Sequence, residues 1–438
     1  MMSFPAISKA FLLTALQAAG PAEPPPRRPL LSEFVGINGH TVQFRPDLYA
    51  AAFRKVRDYH SLSWDLGKDT DSIPRFPEAR NRVNWEHVYG SWKKAGFETD
   101  VCIMFDGTPP DSWKDPVRDA RAYGLAFARF FGPSSRDLVR AVEIGNEPGH
   151  YDDATYRKVF EAMARGFREG DPKLRIATCN LTVGKSGRYE KSVSCVAGLE
   201  ALYDILNIHT YAMAEGWPSW KRSHPEDPKI AFLSSVQALI DWRRANAPGK
   251  EIWVTEFGWD ACTKPPPAEG ETSRWQGNVT DEQQARYLVR SIFLFSSMDV
   301  ARAYIYFFND SDEPGLHASS GVTRHFRPKP SFHALAHLQR TLGAYRFERI
   351  LERREGELYA FLYAHGEDPR RRAIAAWSPT GSGRTATARI PVGTARIERV
   401  ERMPLEPGET PATEATVRNG VVEAAVGESP LYLFLRDE

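Results

Sequence analysis

Two apolar runs in this chain stop abruptly at a glutamate. "RAVEIGNEPGHY" (140–151) runs into Asn146-Glu147-Pro148, and "KEIWVTEFGWD" (250–260) runs into Glu256 and an aromatic–glycine turn. A carboxyl at the tip of a buried strand is costly unless a partner, a proton or a reaction requires it there. Two such groups suit acid–base and nucleophilic chemistry, because one can be kept protonated to donate while the other stays ionised to attack. Taken singly, each has a plainer reading. Glu147 fits the start of a helix, where the macrodipole favours an acid, and Glu256 fits a solvated turn. The chemistry exists only if the fold brings the two together.

The elements that must do so alternate along the chain. Strands are expected at 32–40, 59–67, 97–110, 138–148, 174–184, 202–212, 250–260 and 301–310. Helical patterns fall between them at 45–56, 83–96, 116–131, 154–170, 230–246 and 280–298, with a closing helix at 331–342. Thr280 and Gln283 stand at capping-box spacing. Strands separated by helices imply parallel crossovers, and eight such units predict an α/β fold, a closed (β/α)₈ barrel over residues 30–343. After Ala344 the texture changes to short alternating runs between Gly, Pro and charged turns, which predicts an all-β, sandwich-like domain over 344–438.

Such a barrel works at the C-terminal ends of its strands. Those ends supply Asn38 and His40, Trp64 and Asp65, Asp106, Asn146 and Glu147, Asn180, His209 and Tyr211, Glu256 and Trp259, and Asn309 and Asp310. Strands four and seven face each other across the mouth, so Glu147 and Glu256 meet there. Two glutamates across a sugar-sized gap fit glycoside hydrolysis, one as acid and the other as nucleophile or base. Asn146 is placed to contact a sugar hydroxyl, and Tyr211 to donate to Glu256 and hold it ionised. His40, Trp64, Asp106, His209, Trp259 and Asn309 are candidate substrate contacts by position. Glu143 shares strand parity with Glu147 and reads as an internal barrel residue bonded within its layer. Trp113, Trp217, Trp220 and Trp275 lie in or beside strand-end loops, as does the long segment 263–278, a candidate groove wall.

Bulk properties narrow the partners. The 438-residue chain carries a formal net charge of +1, which leaves no electrostatic footprint for nucleic acid or an anionic membrane. No apolar run is long enough to predict a membrane span. Aromatics make up 12% of residues, with 11 Trp, enough for some rings to line a surface groove. No His/Asp/Glu cluster has zinc spacing and no Gly-rich phosphate loop occurs, so neither metal nor cofactor is expected. Cys102, Cys179, Cys195 and Cys262 show no metal pattern either, and the first two fall inside expected strands as buried thiols. At the N-terminus, Lys9, the apolar block Ala10–Ala19 and a proline-rich spacer resemble a secretory signal and linker over 1–29, so a secreted or periplasmic location is expected.

The motifs themselves resemble a known group. "IGNEP" and "WVTEFGW" look like the signature pair of clan A glycoside hydrolases, "NIHTY" is similar to the His-x-Tyr that clan often carries, and "GLHASSGVTRHFRPKPSFHAL" resembles its segment leading into the last barrel helix. The appended β-domain points within the clan to family 39, with β-xylosidases, α-L-iduronidases and bacterial exopolysaccharide hydrolases; family 5 and its neighbours stay open. The resemblance implies that Glu147 is the general acid/base, Glu256 the nucleophile, Asn146 a contact to the 2-hydroxyl, and Tyr211 a support for Glu256. It also implies retention, with carboxyl groups about 5–5.5 Å apart and a covalent glycosyl-enzyme intermediate. The sequence departs from the pattern twice. An arginine is often found at the end of strand two, where "LSWDLG" offers Trp64 and Asp65, and a tryptophan floor at the end of strand eight, where "YIYFFND" offers Phe307 and Phe308. A catalytically silent carbohydrate-binding barrel is the rival reading, and it has no need of both glutamates.

Overall fold

The structure, a computed structural model, describes residues 28–270, 272–408, 413 and 415–437. Apart from Arg28 and Pro29, the leader and linker expected over 1–29 lie outside the described residues.

Eight parallel strands close into a barrel: β1 (Val35–Asn38), β2 (Lys55–Ser61), β3 (Glu98–Met104), β4 (Ala141–Ile144), β5 (Arg175–Thr182), β6 (Ile205–His209), β7 (Glu251–Phe257) and β8 (Arg302–Ile305). Each pairs with its neighbours in chain order, and β1 pairs with β8 to complete the ring. Helices α1 (Trp85–Lys94), α2 (Pro116–Phe131), α3 (Asp153–Gly170), α4 (Phe232–Asn246), α5 (Asp281–Ser297) and α6 (Pro330–Leu342) surround it. Their starts follow from local chemistry. Asn84, Asp115, Asp152 and Thr280 accept backbone N–H groups of the first turn, and Thr280 with Gln283 forms the expected capping box. The small layer at the bottom of the barrel is Ala141, Ala177, Ile205, Trp253 and Tyr304, a filled interior rather than a pore.

β2 differs from expectation. The helix expected over 45–56 is one short turn, Pro46–Tyr49, and the strand begins at Lys55, so Trp64 and Asp65 sit on a short helix (Leu62–Leu66) beyond its end. "KVRDYHS" escapes recognition because its charged residues are buried and paired on both faces. Arg57 points into the barrel to Glu143. Asp58 and His60 point outward, where Asp58 accepts from Thr41 and Tyr89, and His60 stacks on Trp85. Asp65 is spent there too, accepting from Trp85 Nε1 and Tyr123 Oη at 2.8 and 2.7 Å.

The C-terminal region is all-β: β9 (Tyr345–Arg354), β10 (Leu358–His365), β11 (Arg371–Trp377), β12 (Ala386–Pro391), β13 (Arg396–Arg402), β14 (Ala415–Arg418), β15 (Val421–Val426) and β16 (Leu431–Arg436). They form two antiparallel sheets, ordered β9-β10-β11-β16-β13 and β12-β15-β14. Alternation along β10 explains how the region is held. Tyr359, Phe361 and Tyr363 join the hydrophobic core shared with the barrel helices, while Leu358, Ala360 and Leu362 pack against the second sheet. The first sheet is thus a wall of the barrel's own core on one face.

Candidate active site

β4 ends at Ile144 because Gly145 adopts a positive φ of 85°. A side chain there would be strained, and a Cβ would press on the Phe105 ring at 3.0 Å. That turn, three residues before the expected stop at Pro148, swings Asn146 and Glu147 over the mouth. The Glu147 backbone N–H donates to Asp106 Oδ1 at 2.8 Å, so Asp106 positions Glu147 from behind and does not line the cleft.

Glu256 arrives by a different device. Trp253 and Thr255 line the barrel interior, so regular alternation would send Glu256 outward. The register slips between Ile208↔Val254 and His209↔Glu256, and again opposite β8. This irregularity turns Glu256 inward, the re-aiming that bulges commonly perform near sites.

The two glutamates meet in a cleft of about 440 Å³ lined by His40, Thr41, Val42, Gln43, Tyr59, Ser61, Trp64, Met104, Asn146, Glu147, Glu256, Tyr306 and His317. One carboxylate oxygen from each, with a ring nitrogen of His209, lies within 4.8 Å of the others. His209 Nδ1 stands 2.9 Å from Glu147 Oε1 and 3.6 Å from Glu256 Oε2. Tyr211 Oη donates to Glu256 Oε2 at 2.8 Å. On the other oxygen, Oε1, Tyr59 Oη donates at 2.6 Å and Arg57 Nη1 at 3.2 Å.

These surroundings push the two carboxyls apart. Burial raises the Glu147 pKa, and the bond and charge from His209 only partly offset it. Burial acts on Glu256 in the same direction, but the charges of His209 and Arg57 and the Tyr59 and Tyr211 hydroxyls outweigh it and bring it to about 2. His209 is held above its ordinary value; burial opposes its charge, and the two glutamates overcome that. At neutral pH the arrangement therefore holds an ionised Glu256 beside a carboxyl that retains its proton to higher pH than usual.

An arginine does reach Glu256, from within β2 and not from the strand end where Trp64 and Asp65 stand: Arg57. It gives two 2.9 Å bonds to Glu143, and reaches Asn38 Oδ1 and Asn146 Oδ1 at 2.8 and 2.9 Å. Glu143 is the internal layer residue expected, and its partner is this guanidinium. The signal was present in the period-two spacing of Arg57 and Tyr59, but the neighbouring charges masked the strand.

Several candidates occupy other places. Trp259 is fully buried, with its indole N–H donating to Ser223 O at 2.8 Å, and is a packing residue. Asn309 lies beyond the end of β8, its Oδ1 accepting from Thr323 and from the Phe326 backbone at 3.0 and 2.6 Å, and it is not in the cleft lining. Asn180 accepts the His209 backbone N–H at 2.8 Å and so fixes that ring's strand. Trp113 is buried against Tyr151, Trp275 is buried, and Trp217 is exposed. Among the described residues, the 263–278 loop supplies none to the cleft lining. Tyr306 and Trp64 are the aromatic rings of the cleft beside Tyr59; Phe307 packs on Tyr306 at 4.6 Å. All four cysteines are free and buried.

Glu147, His209 and Glu256 could serve a cation by number alone. The donor set fits one poorly, because both oxygens of Glu256 already accept hydrogen bonds and a guanidinium sits against one of them.

No family model matches the chain, and no curated protein matches it either. Solved structures do. The chain is similar to a family 39 glycoside hydrolase from the gut symbiont Bacteroides cellulosilyticus WH2, with 19% identity and a TM-score of 0.69 over 93% of this chain and 81% of the other. The fold is shared. It is also similar to CelM2, a bifunctional glucanase-xylanase from a metagenome library, with 11% identity and a TM-score of 0.64 over 94% and 97% of the two chains. A family 51 α-L-arabinofuranosidase from Bifidobacterium longum follows at 12% identity and a TM-score of 0.58, over 93% and 97%. Family 30 xylanases are also among the similar structures, and families 39, 30 and 51 all belong to clan A. At such identities the likeness concerns the barrel and its appended sheets.

Proposed function

We propose that this protein is a retaining glycoside hydrolase that cleaves O-glycosidic bonds of an oligo- or polysaccharide. The observation that carries the reading is one carboxylate pair with oxygens within 4.8 Å and opposite pKa shifts. Retention needs carboxyl groups about 5–5.5 Å apart, whereas inversion needs about 6.5–9.5 Å to admit a water between them. Glu256, ionised and aimed by Tyr59, Tyr211 and Arg57, attacks the anomeric carbon while Glu147 gives its proton to the departing oxygen. Glu147, now a carboxylate, then takes a proton from water as that water displaces Glu256 from the glycosyl-enzyme. His209 lies against both carboxyls and favours the anionic form of each, most strongly that of Glu256. Asn146, held by Arg57, is positioned for the 2-hydroxyl.

The arrangement favours this over a silent binding barrel. Three donors converge on one buried carboxylate, a costly anion that sugar binding alone does not require. The test is hydrolysis of a panel of aryl glycosides and polysaccharides by the parent and by Glu256→Ala and Glu147→Ala. Loss of turnover in both variants, with the anomeric configuration of the product retained by NMR, supports the reading. No turnover by the folded parent, or full turnover by the variants, would sink it.

A further inference from the structure

One group in the cleft has no part in that chemistry. His317 lies in the loop after β8 and lines the cleft. Its ring packs on Tyr211 at 4.3 Å between centroids and edge-on to Tyr306 at 5.4 Å, which places it beside the hydroxyl that steers Glu256. Its Nδ1 is buried without a hydrogen-bond partner among the described residues, an expensive state for a polar atom unless a ligand completes it. The backbone is held to keep it there. His317 has a positive φ of 63°, its N–H donates to Asp260 Oδ2 at 3.2 Å, and Ser319 N–H and Ser320 Oγ donate to Asp260 Oδ1 at 3.2 and 2.8 Å. A non-glycine residue fixed in this region of φ is a common feature of binding sites.

The charges around the cleft say what kind of ligand fits. Among the described residues, the lining contains no Lys or Arg. The two nearby guanidinium groups are already spent. Arg57 serves Glu143 and Glu256, and Arg222 is fully buried behind Tyr211, paired with Asp260 at 3.2 Å. His209, raised above its ordinary value, is likewise held by Glu147 and Glu256, so a sugar carboxylate or sulfate entering beside Glu256 would meet an anion and no free cation among the described residues, a strongly unfavourable burial. Burial first, and the charge of Arg222 second, depress the His317 pKa to about 4, so its imidazole is neutral at neutral pH and offers a neutral group one donor and one acceptor.

We infer that His317 is a substrate-binding residue that hydrogen-bonds a hydroxyl of the sugar held at Glu256, and that this sugar is uncharged. The inference rests on the hydrolase reading and narrows its substrates to neutral glycosides, with uronides and sulfated sugars turned away.

The test compares para-nitrophenyl glycosides of neutral pentoses and hexoses with the matching uronides, then sets the best neutral substrate and its singly deoxygenated analogues against the parent, His317→Asn and His317→Ala. Expected is a preference for the neutral sugar over its uronide of about a hundredfold in kcat/KM. The variants should lose about tenfold, chiefly in KM, with unchanged pH limits. On the one analogue that lacks the contacted hydroxyl, parent and variants should converge. A merely structural role would lower every analogue alike, and that result overturns the inference, as does equal turnover of the uronide. The parent comparison and its response to deoxygenation need no variant, so a His317 substitution that fails to fold leaves the inference falsifiable. If the folded parent cleaves neither neutral nor acidic glycosides, the hydrolase reading falls first and this inference with it.

Discussion

Glu256 and Glu226 look alike on paper. Each is a buried glutamate beside a buried arginine, and each is brought to a pKa of about 2 although burial pushes the other way. Glu226 sits at the seam where the barrel meets the β-domain. Its Oε1 accepts from Arg290 Nε and Trp377 Nε1 at 2.8 and 2.6 Å, and its Oε2 accepts from Arg290 Nη2, with His224 Nδ1 at 3.3 Å. Trp377 belongs to the β-domain and Arg290 to α5, so the carboxylate ties the two together. A strongly depressed carboxyl pKa therefore does not by itself mark a site of chemistry. Glu256 differs in two respects. A cleft opens onto it, and a second carboxyl, shifted in the opposite direction, stands within 4.8 Å of it.

The sharpest way to break this comparison is to neutralise both anions. Glu256→Gln should lower kcat by about 10⁴-fold or more; it also gives up the stability tied to the depressed pKa of Glu256, although Arg57 keeps its two bonds to Glu143. Glu226→Gln should leave near-normal turnover by the protein that stays folded and lower the urea midpoint, because buried Arg290 keeps only its 3.6 Å pairing with Glu428; weakening such a pair costs up to about 3–5 kcal/mol. Similar kinetic losses in the two variants would end the distinction.

Glu147 separates acid catalysis from mere binding. Glu147→Ala should lose about 10²–10⁴-fold in kcat/KM on a substrate with a poor leaving group and far less in kcat/KM on an activated aryl glycoside, which departs without a proton, while kcat falls on both because the second step lacks its base. Rate profiles against pH carry the same contrast. Turnover should fall on the alkaline side as Glu147 deprotonates above the usual carboxylate range, and on the acid side only as pH nears about 2, where Glu256 is protonated. The seam obeys the same sign in stability. The folded pKa of Glu226 is below its ordinary value, so its contribution is complete above the ordinary carboxylate range and is lost as pH falls toward about 2.

Smaller effects refine the picture. Tyr211→Phe removes one donor of three from Glu256 and should cost about tenfold in kcat with little change in KM. Asn309→Ala should cost about 1 kcal/mol of stability through its loop bonds and leave both kinetic constants alone, as calorimetry and initial rates would report.

The sequence by itself determined the barrel, the all-β appendage and the two glutamates, because alternating strands and helices leave few closures and a barrel's strand ends share one mouth. Tyr211, Asn146 and His209 were legible for the same reason, being adjacent to those ends. Only the tertiary structure decided which buried charges belong together. "KVRDYHS" looks unfit for a buried strand until Glu143, Tyr89 and Trp85, brought by other elements, satisfy it, and Arg57 becomes visible only then. The irregularity that turns Glu256 inward is likewise a property of paired strands, since register exists only between chains of residues already side by side. Trp259 and Asn309 share the expected positions with the true lining residues, and packing alone sent one into the core and the other into a loop.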